Sequence, residues 1–181
     1  MNLAIKKFSF KELIYLEIEQ YLYFPVKYIP GSLGFFLRFL FVKCFSKSLA
    51  GMIWIQPGVE LIHTNKIEFG RNVGINTGTY INGVGTIKFG DFALIGNNVT
   101  ISSGKHPIGP SSKHIYEMPS ERIPIVLGSG CWLAAGSVIL PGVTIGEGSV
   151  VGANSVIGKD IPAYEVYAGA PAVKIKSRKF G

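Results

Sequence analysis

A period of six constrains this chain more than any other feature. From Leu127 onward an apolar residue recurs at every sixth position, at Leu127, Leu133, Ile139, Ile145, Val151 and Ile157. Four residues after each of the first five stands a compact residue: Cys131, Ser137, Val143, Ser149 and Ser155. The same beat runs earlier through Ile75 and Ile81 and then, after one step of eight, through Phe89, Ile95 and Ile101, each followed by Asn, Gly or Ser. A helix turns every 3.6 residues and cannot keep one face apolar at this period. Short strands of alternating residues joined by turns can, and Gly and Asn stand where such turns need a tight bend or positive φ. Three hexads make one triangular coil, and stacked coils leave an apolar ladder inside. The pattern therefore predicts a mainly β chain, a solenoid of parallel strands stabilised by contacts between neighbouring coils.

The beat stops at "TISSGKHPIGP", residues 100–110, and resumes at Leu127. Residues of about 103–126 are therefore expected to project from the solenoid as a loop. A loop that long inside a compact repeat is usually functional. Three zones result: a helical, aromatic segment over 1–50, a hexapeptide β-helix over 51–165 with the projecting loop, and a basic tail over 166–181. In the first zone "FKELIYLEIEQYLYF" has helical spacing, Pro25 and Pro30-Gly31 are expected to break it, and a second helix is expected over about 32–46.

The formal charge of +7 on 181 residues is uneven. Both ends are basic and the repeat body is nearly neutral, which argues against a nucleic-acid binder with one broad basic face. Cys44 and Cys131 are too few for a disulfide framework and match no metal-ligand spacing. No signal peptide is expected. The apolar run "LGFFLRFLFV" carries Arg38 and is about half as long as a spanning helix requires. These features fit a cytoplasmic protein. The aromatic, basic segment over 1–50 has two readings. It could lie against the inner face of the membrane, or it could cap the open end of the solenoid. Arg38 suits either, with its stem buried and its head in water.

The stretch "GCWLAAGSVILPGVTIGEGSVVGANSVIGKDIPAYEVYAGAPAVKI" resembles the hexapeptide-repeat acyltransferases, through Trp132, "LPGVTIG", "GKDIP" and "AGAPA". The resemblance covers about residues 51–178. The "HP" loop is similar to that of the galactoside and maltose O-acetyltransferases, and the N-terminal segment looks more like the polysaccharide O-acetyltransferases. The resemblance implies a left-handed parallel β-helix, a homotrimer, and acetyl-CoA held between neighbouring subunits. It also implies acetyl transfer to a carbohydrate hydroxyl without a metal, in cell-surface polysaccharide synthesis.

Such a transfer needs a base, because a sugar hydroxyl is a poor nucleophile at neutral pH, and an imidazole suits the task. The resemblance gives that role to His106. It gives the oxyanion contact to the Ala135 N–H, whose side chain is then unimportant. Ala153, Gly158 and Lys159 match positions along the pantetheine arm. Trp132 lines the groove or packs in a cap. Lys176 and Arg178 either meet the nucleotide phosphates or are solvated. Asn76 matches the acceptor-binding amide, though Asn is also a common turn residue here. His114 shares the loop, as an acceptor contact or an ordinary surface residue, and His63 has no assigned role. The β-helical carbonic anhydrases need a His-x4-His pair, which is missing here. Three other readings share the architecture: N-acetylation of a nucleotide-linked amino sugar, acetylation of a xenobiotic, and a trimeric scaffold without catalysis.

Overall fold

The computed structural model describes residues 8–178. Two helices, α1 (Phe10–Lys27) and α2 (Gly31–Phe45), precede a parallel β-solenoid. Its strands stack into three walls. Wall 1 runs from Ser48–Leu49 through Ile67–Phe69, Ile87–Phe89 and Ile125–Leu127 to Thr144–Ile145. Wall 2 begins at Ile53–Ile55 and contains Val73–Ile75, Leu94–Ile95, Trp132–Leu133 and Val150–Val151. Wall 3 stacks Glu60–Ile62, Tyr80–Asn82, Thr100–Ser102, Val138–Ile139 and Val156–Ile157.

The apolar ladder of the sequence is the core. Ile75 lies over Ile95, which lies over Leu133 and then Val151, and all four are buried. Cys131, Ser137, Ser149 and Ser155 are buried at the narrow corners, where a larger side chain would collide with the opposite wall. Early coils are longer than later ones. Ile55 pairs with Ile75, whereas Leu133 pairs with Val151 eighteen residues on. The extra residues sit where wall 3 turns into wall 1, at His63–Lys66 and at Gly83–Thr86.

Two expectations change. Pro25 does not end α1; it sits inside the helix, which runs on to Lys27. So near the C-terminal end, the missing N–H and the ring clash disturb only the last turn. Arg38 does not keep its head in water. It is 1% exposed, and its guanidinium donates to the carbonyls of Ile55 (2.9 Å), Val26 (3.1 Å) and Ile29 (2.7 Å). Carbonyls left open at the end of α1 and in the turn after it thus find a cationic donor.

The helices cover the first coil. Tyr23 donates to the Val59 carbonyl at 3.0 Å, and the buried Glu19 carboxylate accepts the N–H groups of His63 and Thr64 at 3.0 and 2.6 Å. At the other end, residues 165–177 form an antiparallel hairpin, Glu165–Gly169 with Ala172–Ser177, which extends wall 2. Among the described residues no helix is long and apolar enough to cross a membrane.

Candidate active site

The chain leaves the solenoid after the wall 3 strand Thr100–Ser102. Gly104–Lys105 then pairs antiparallel with Glu121–Arg122, so the loop stands on a two-stranded stem. Ser103 anchors the stem. It is buried; its hydroxyl donates to the Asn82 carbonyl (3.0 Å) and accepts the Gly85 N–H (2.8 Å), while its carbonyl accepts the Ile123 N–H (2.8 Å). The chain rejoins wall 1 at Ile125. His106 is the first residue beyond the stem. It is exposed, and among the described residues nothing hydrogen-bonds its imidazole.

His106 borders a cavity of about 500 Å³ whose wall also includes His63, Asn82, Glu117, Arg122 and Phe8. A pocket of this size with several polar groups suits a small polar ligand. The start of α1 supplies one side. Phe8 stacks on His63 with ring centres 5.8 Å apart, and the Arg122 guanidinium lies 5.5 Å from the centre of the Phe8 ring. Glu12 ties the pieces together by pairing with Lys66 (3.0 Å) and Arg122 (2.9 Å). The Ser9 N–H and the Lys66 ammonium, with help from Arg122, hold the Glu12 carboxyl down at about 2. His63 is buried in the left-handed region, φ 57°, and burial, with Lys66 adding to it, pushes its imidazole down to about 4. It is therefore neutral near pH 7.

Asn82 and His63 were not singled out by the sequence. Asn82 had a signal, since it stands six residues after Asn76 just before a wall 3 corner. Its Oδ1 accepts the Val84 N–H at 3.1 Å. His63 had none, because its place in the wall depends on α1 folding back over the corner. His114 begins the short 3₁₀ turn Ile115–Glu117, where its backbone N–H donates to Glu117 at 3.1 Å. It does not border the cavity.

The other candidate residues lie elsewhere on the chain. Trp132 is exposed on wall 2. Ala135 and Ala153 are equivalent positions one coil apart, exposed where wall 2 turns into wall 3. Neither N–H donates to a protein acceptor among the described residues. Asn76 opens the same corner higher up and borders a groove with Trp54 and Leu94, its side chain donating to the Ile95 carbonyl at 2.8 Å. Gly158 and Lys159 are exposed where wall 3 turns toward wall 1, on the corner from which the His106 loop departs. Lys176 is exposed on the terminal hairpin, and Arg178, just beyond it, donates to the Gly148 carbonyl. The structure therefore unites His106 with Asn82, and Asn76 with the free N–H groups of the second corner. Within one chain, wall 3 lies between the two sets.

This arrangement can take a proton from a hydroxyl at one corner and bind a carbonyl oxygen through backbone N–H groups at another. Exposed N–H groups, an exposed indole and nearby cations suit an extended thioester carrying phosphates. Cys131 offers no nucleophile, since burial pushes its thiol up to about 12. Among the described residues no three His, Cys, Asp or Glu side chains are grouped so as to hold a metal ion.

Known proteins resemble this chain in sequence and fold. Residues 124–159 match the family model described as bacterial transferase hexapeptide (six repeats). The chain is 40% identical over 123 residues to a galactoside O-acetyltransferase of Escherichia coli (strain K12), spanning 68% of this chain and 60% of that protein. It is 32% identical over 141 residues to a putative colanic acid biosynthesis acetyltransferase of the same organism, covering 78% of this chain and 75% of that one. Among solved structures, a galactoside acetyltransferase in complex with coenzyme A superposes with a TM-score of 0.87 at 27% identity, over 99% of this chain and 92% of the other.

Proposed function

Because the chain belongs to the hexapeptide-repeat acetyltransferases, we propose that it transfers an acetyl group from acetyl-CoA to a hydroxyl of a carbohydrate, in the assembly of a cell-surface polysaccharide. The observation that carries this reading is His106, held at the lip of a polar cavity with no hydrogen-bond partner among the described residues. The acceptor hydroxyl enters beside Asn82, and His106 removes its proton as the oxygen attacks the thioester carbonyl. The Ala135 N–H of a neighbouring subunit meets the oxygen that gains negative charge. As the intermediate collapses, the carbon–sulfur bond breaks and the imidazolium returns the proton to the departing thiolate. Transfer is direct, with acceptor and acetyl-CoA bound together.

The pantetheine arm runs along the Ala135 and Ala153 corner past Trp132, and the nucleotide phosphates meet Lys176 and Arg178. Gly158 and Lys159 approach the arm from the side of the His106 loop. Since wall 3 separates the two corners, the proposal includes a homotrimer in which one subunit's loop faces the next subunit's N–H row, bringing Asn76 toward His106. A polysaccharide role goes with the cytoplasmic face of a membrane, approached through residues 1–50.

The test is an acceptor screen with acetyl-CoA for the natural chain and His106→Ala. Turnover should fall by about two to four orders of magnitude with acetyl-CoA affinity nearly unchanged. Near-normal turnover by the variant would remove the mechanism. Product stability in mild base separates an O-acetyl ester, which is lost, from the amide an amino-sugar N-acetyltransferase would make. Transfer only to a xenobiotic would sink the carbohydrate reading. A chain that fails to bind acetyl-CoA would be a scaffold.

A further inference from the structure

Helix α1 is apolar on two sides. One side packs on the first coil through Tyr23 and surrounds Glu19. The other carries Phe10, Ile14, Ile18, Tyr21 and Phe24, with 76, 44, 48, 76 and 73% of their surfaces exposed. Steps of four, four, three and three place these five on one stripe. Neighbouring α2 adds Phe36, which is 54% exposed. A helix buried on one side needs no second apolar stripe for folding, and a patch this wide on a soluble surface marks an interaction site.

The charges around the stripe have a sign. Lys11 and Lys43 are exposed, and among the described residues neither has a carboxylate partner. Of the acids on the two helices, Glu12 is engaged with Lys66 and Arg122 and Glu19 is buried, whereas Glu17 is exposed on the stripe itself, three residues after Ile14 and four before Tyr21, so that with Lys11 and Lys43 the net charge of this face is +1. We propose that this face docks onto an anionic lipid bilayer, with the aromatic and aliphatic side chains at headgroup level and the lysines against the phosphates. Phe and Tyr beside Lys is the composition of an interfacial helix. A second copy is the poorer fit, because it would bring the same basic rim against this one.

The docking face and the candidate site share one turn of chain. Phe8 borders the His106 cavity, and Phe10 begins the stripe. On the loop, Ile108 follows His106 by two residues and is 90% exposed. A docked chain would hold this lip of the cavity beside the lipid. Resting on the acetyltransferase reading, this makes the acceptor class a glycan carried on a lipid.

The experiment is flotation of the full chain with vesicles of equimolar phosphatidylcholine and phosphatidylglycerol at low salt. The natural chain should float with the vesicles. Replacing Phe10, Tyr21 and Phe24 by Ser should lower the partition coefficient by about a hundredfold, with the melting temperature held, since all three are exposed. Lys11→Glu with Lys43→Glu should lower it by at least about thirtyfold. A natural chain that stays unbound overturns the proposal, as does a triple-serine variant that floats equally well. If the serines instead break up an assembly larger than the natural trimer and leave flotation unchanged, the face joins copies of the chain. Flotation needs no catalysis, so floating by a chain in which His106→Ala keeps its turnover would retire the catalytic reading alone.

Discussion

His63 and His106 border one cavity from opposite environments. His106 stands exposed on the loop, whereas His63 is buried beneath Phe8 and beside Lys66. Burial lowers the folded-state pKa of His63 to about 4 against an ordinary value of 6.5. Between those values the unfolded chain carries a proton that the folded chain rejects. Stability should therefore fall as pH is lowered from about 6.5 to about 4, by up to about 3 kcal/mol. His63→Asn removes the titration and keeps a residue tolerant of positive φ. Melting temperature against pH should lose its slope in that window in the variant; an unchanged slope would mean that another group causes it. Arg38 presents a different single-residue question. Arg38→Met keeps much of the stem but strands the carbonyls of Val26, Ile29 and Ile55. Urea unfolding should show a loss of about 3 kcal/mol, and a change below about 0.5 kcal/mol would mean that water satisfies those carbonyls. The sequence showed only a cation interrupting an apolar run, and its acceptors are set by how two helices fold together.

At the scale of elements, the legible part is what repeats. The ladder from Ile75 through Val151 and the small corner residues Cys131, Ser137, Ser149 and Ser155 follow from the period of six, because every coil obeys the same packing rule. The projecting loop was legible as a break in that rule. The latch between α1 and the loop stem was not, for it depends on three distant segments meeting: Glu12 on the helix, Lys66 at an early corner and Arg122 in the stem. The basic stretch near the C-terminus looked like a tail because its pairing, Glu165–Gly169 with Ala172–Ser177, follows no hexad. The latch has a testable consequence. Glu12→Gln leaves Arg122 without its carboxylate and should free the stem pairing of Gly104–Lys105 with Glu121–Arg122. Amide exchange there should quicken by about tenfold, the equivalent of about 1.4 kcal/mol, while the wall strands keep their protection. Because the Glu12 carboxyl is held down at about 2, its contribution should be present above about pH 4.5 and fade as pH falls toward 2. Equal exchange in both proteins at pH 7 would show that the stem holds without the latch.

The whole molecule is a three-cornered column, and the proposed chemistry uses two of its corners. His106 leaves from the corner between walls 3 and 1, whereas Ala135 and Ala153 present N–H groups with no acceptor among the described residues at the corner between walls 2 and 3. Wall 3 stands between them in each chain, but in a ring of three the first corner of one subunit can face the second corner of the next. A shared site predicts complementation. A chain with His106→Ala lacks the base. A chain with Ala135→Trp keeps the base and obstructs the N–H row, and the exposed position lets it fold. Homotrimers of either variant should be inactive. Co-refolded in equal amounts, the two chains mix at random, and a working site needs an intact loop from one chain facing an intact corner from its neighbour. That pairing occurs at about one interface in four, so the mixture should recover about a quarter of the natural activity, with each restored site turning over at the natural rate. A site built within one chain cannot be restored this way, because every chain in the mixture carries one defect. Mixed trimers verified by mass, yet no more active than their parents, would therefore place the two corners' functions within a single subunit.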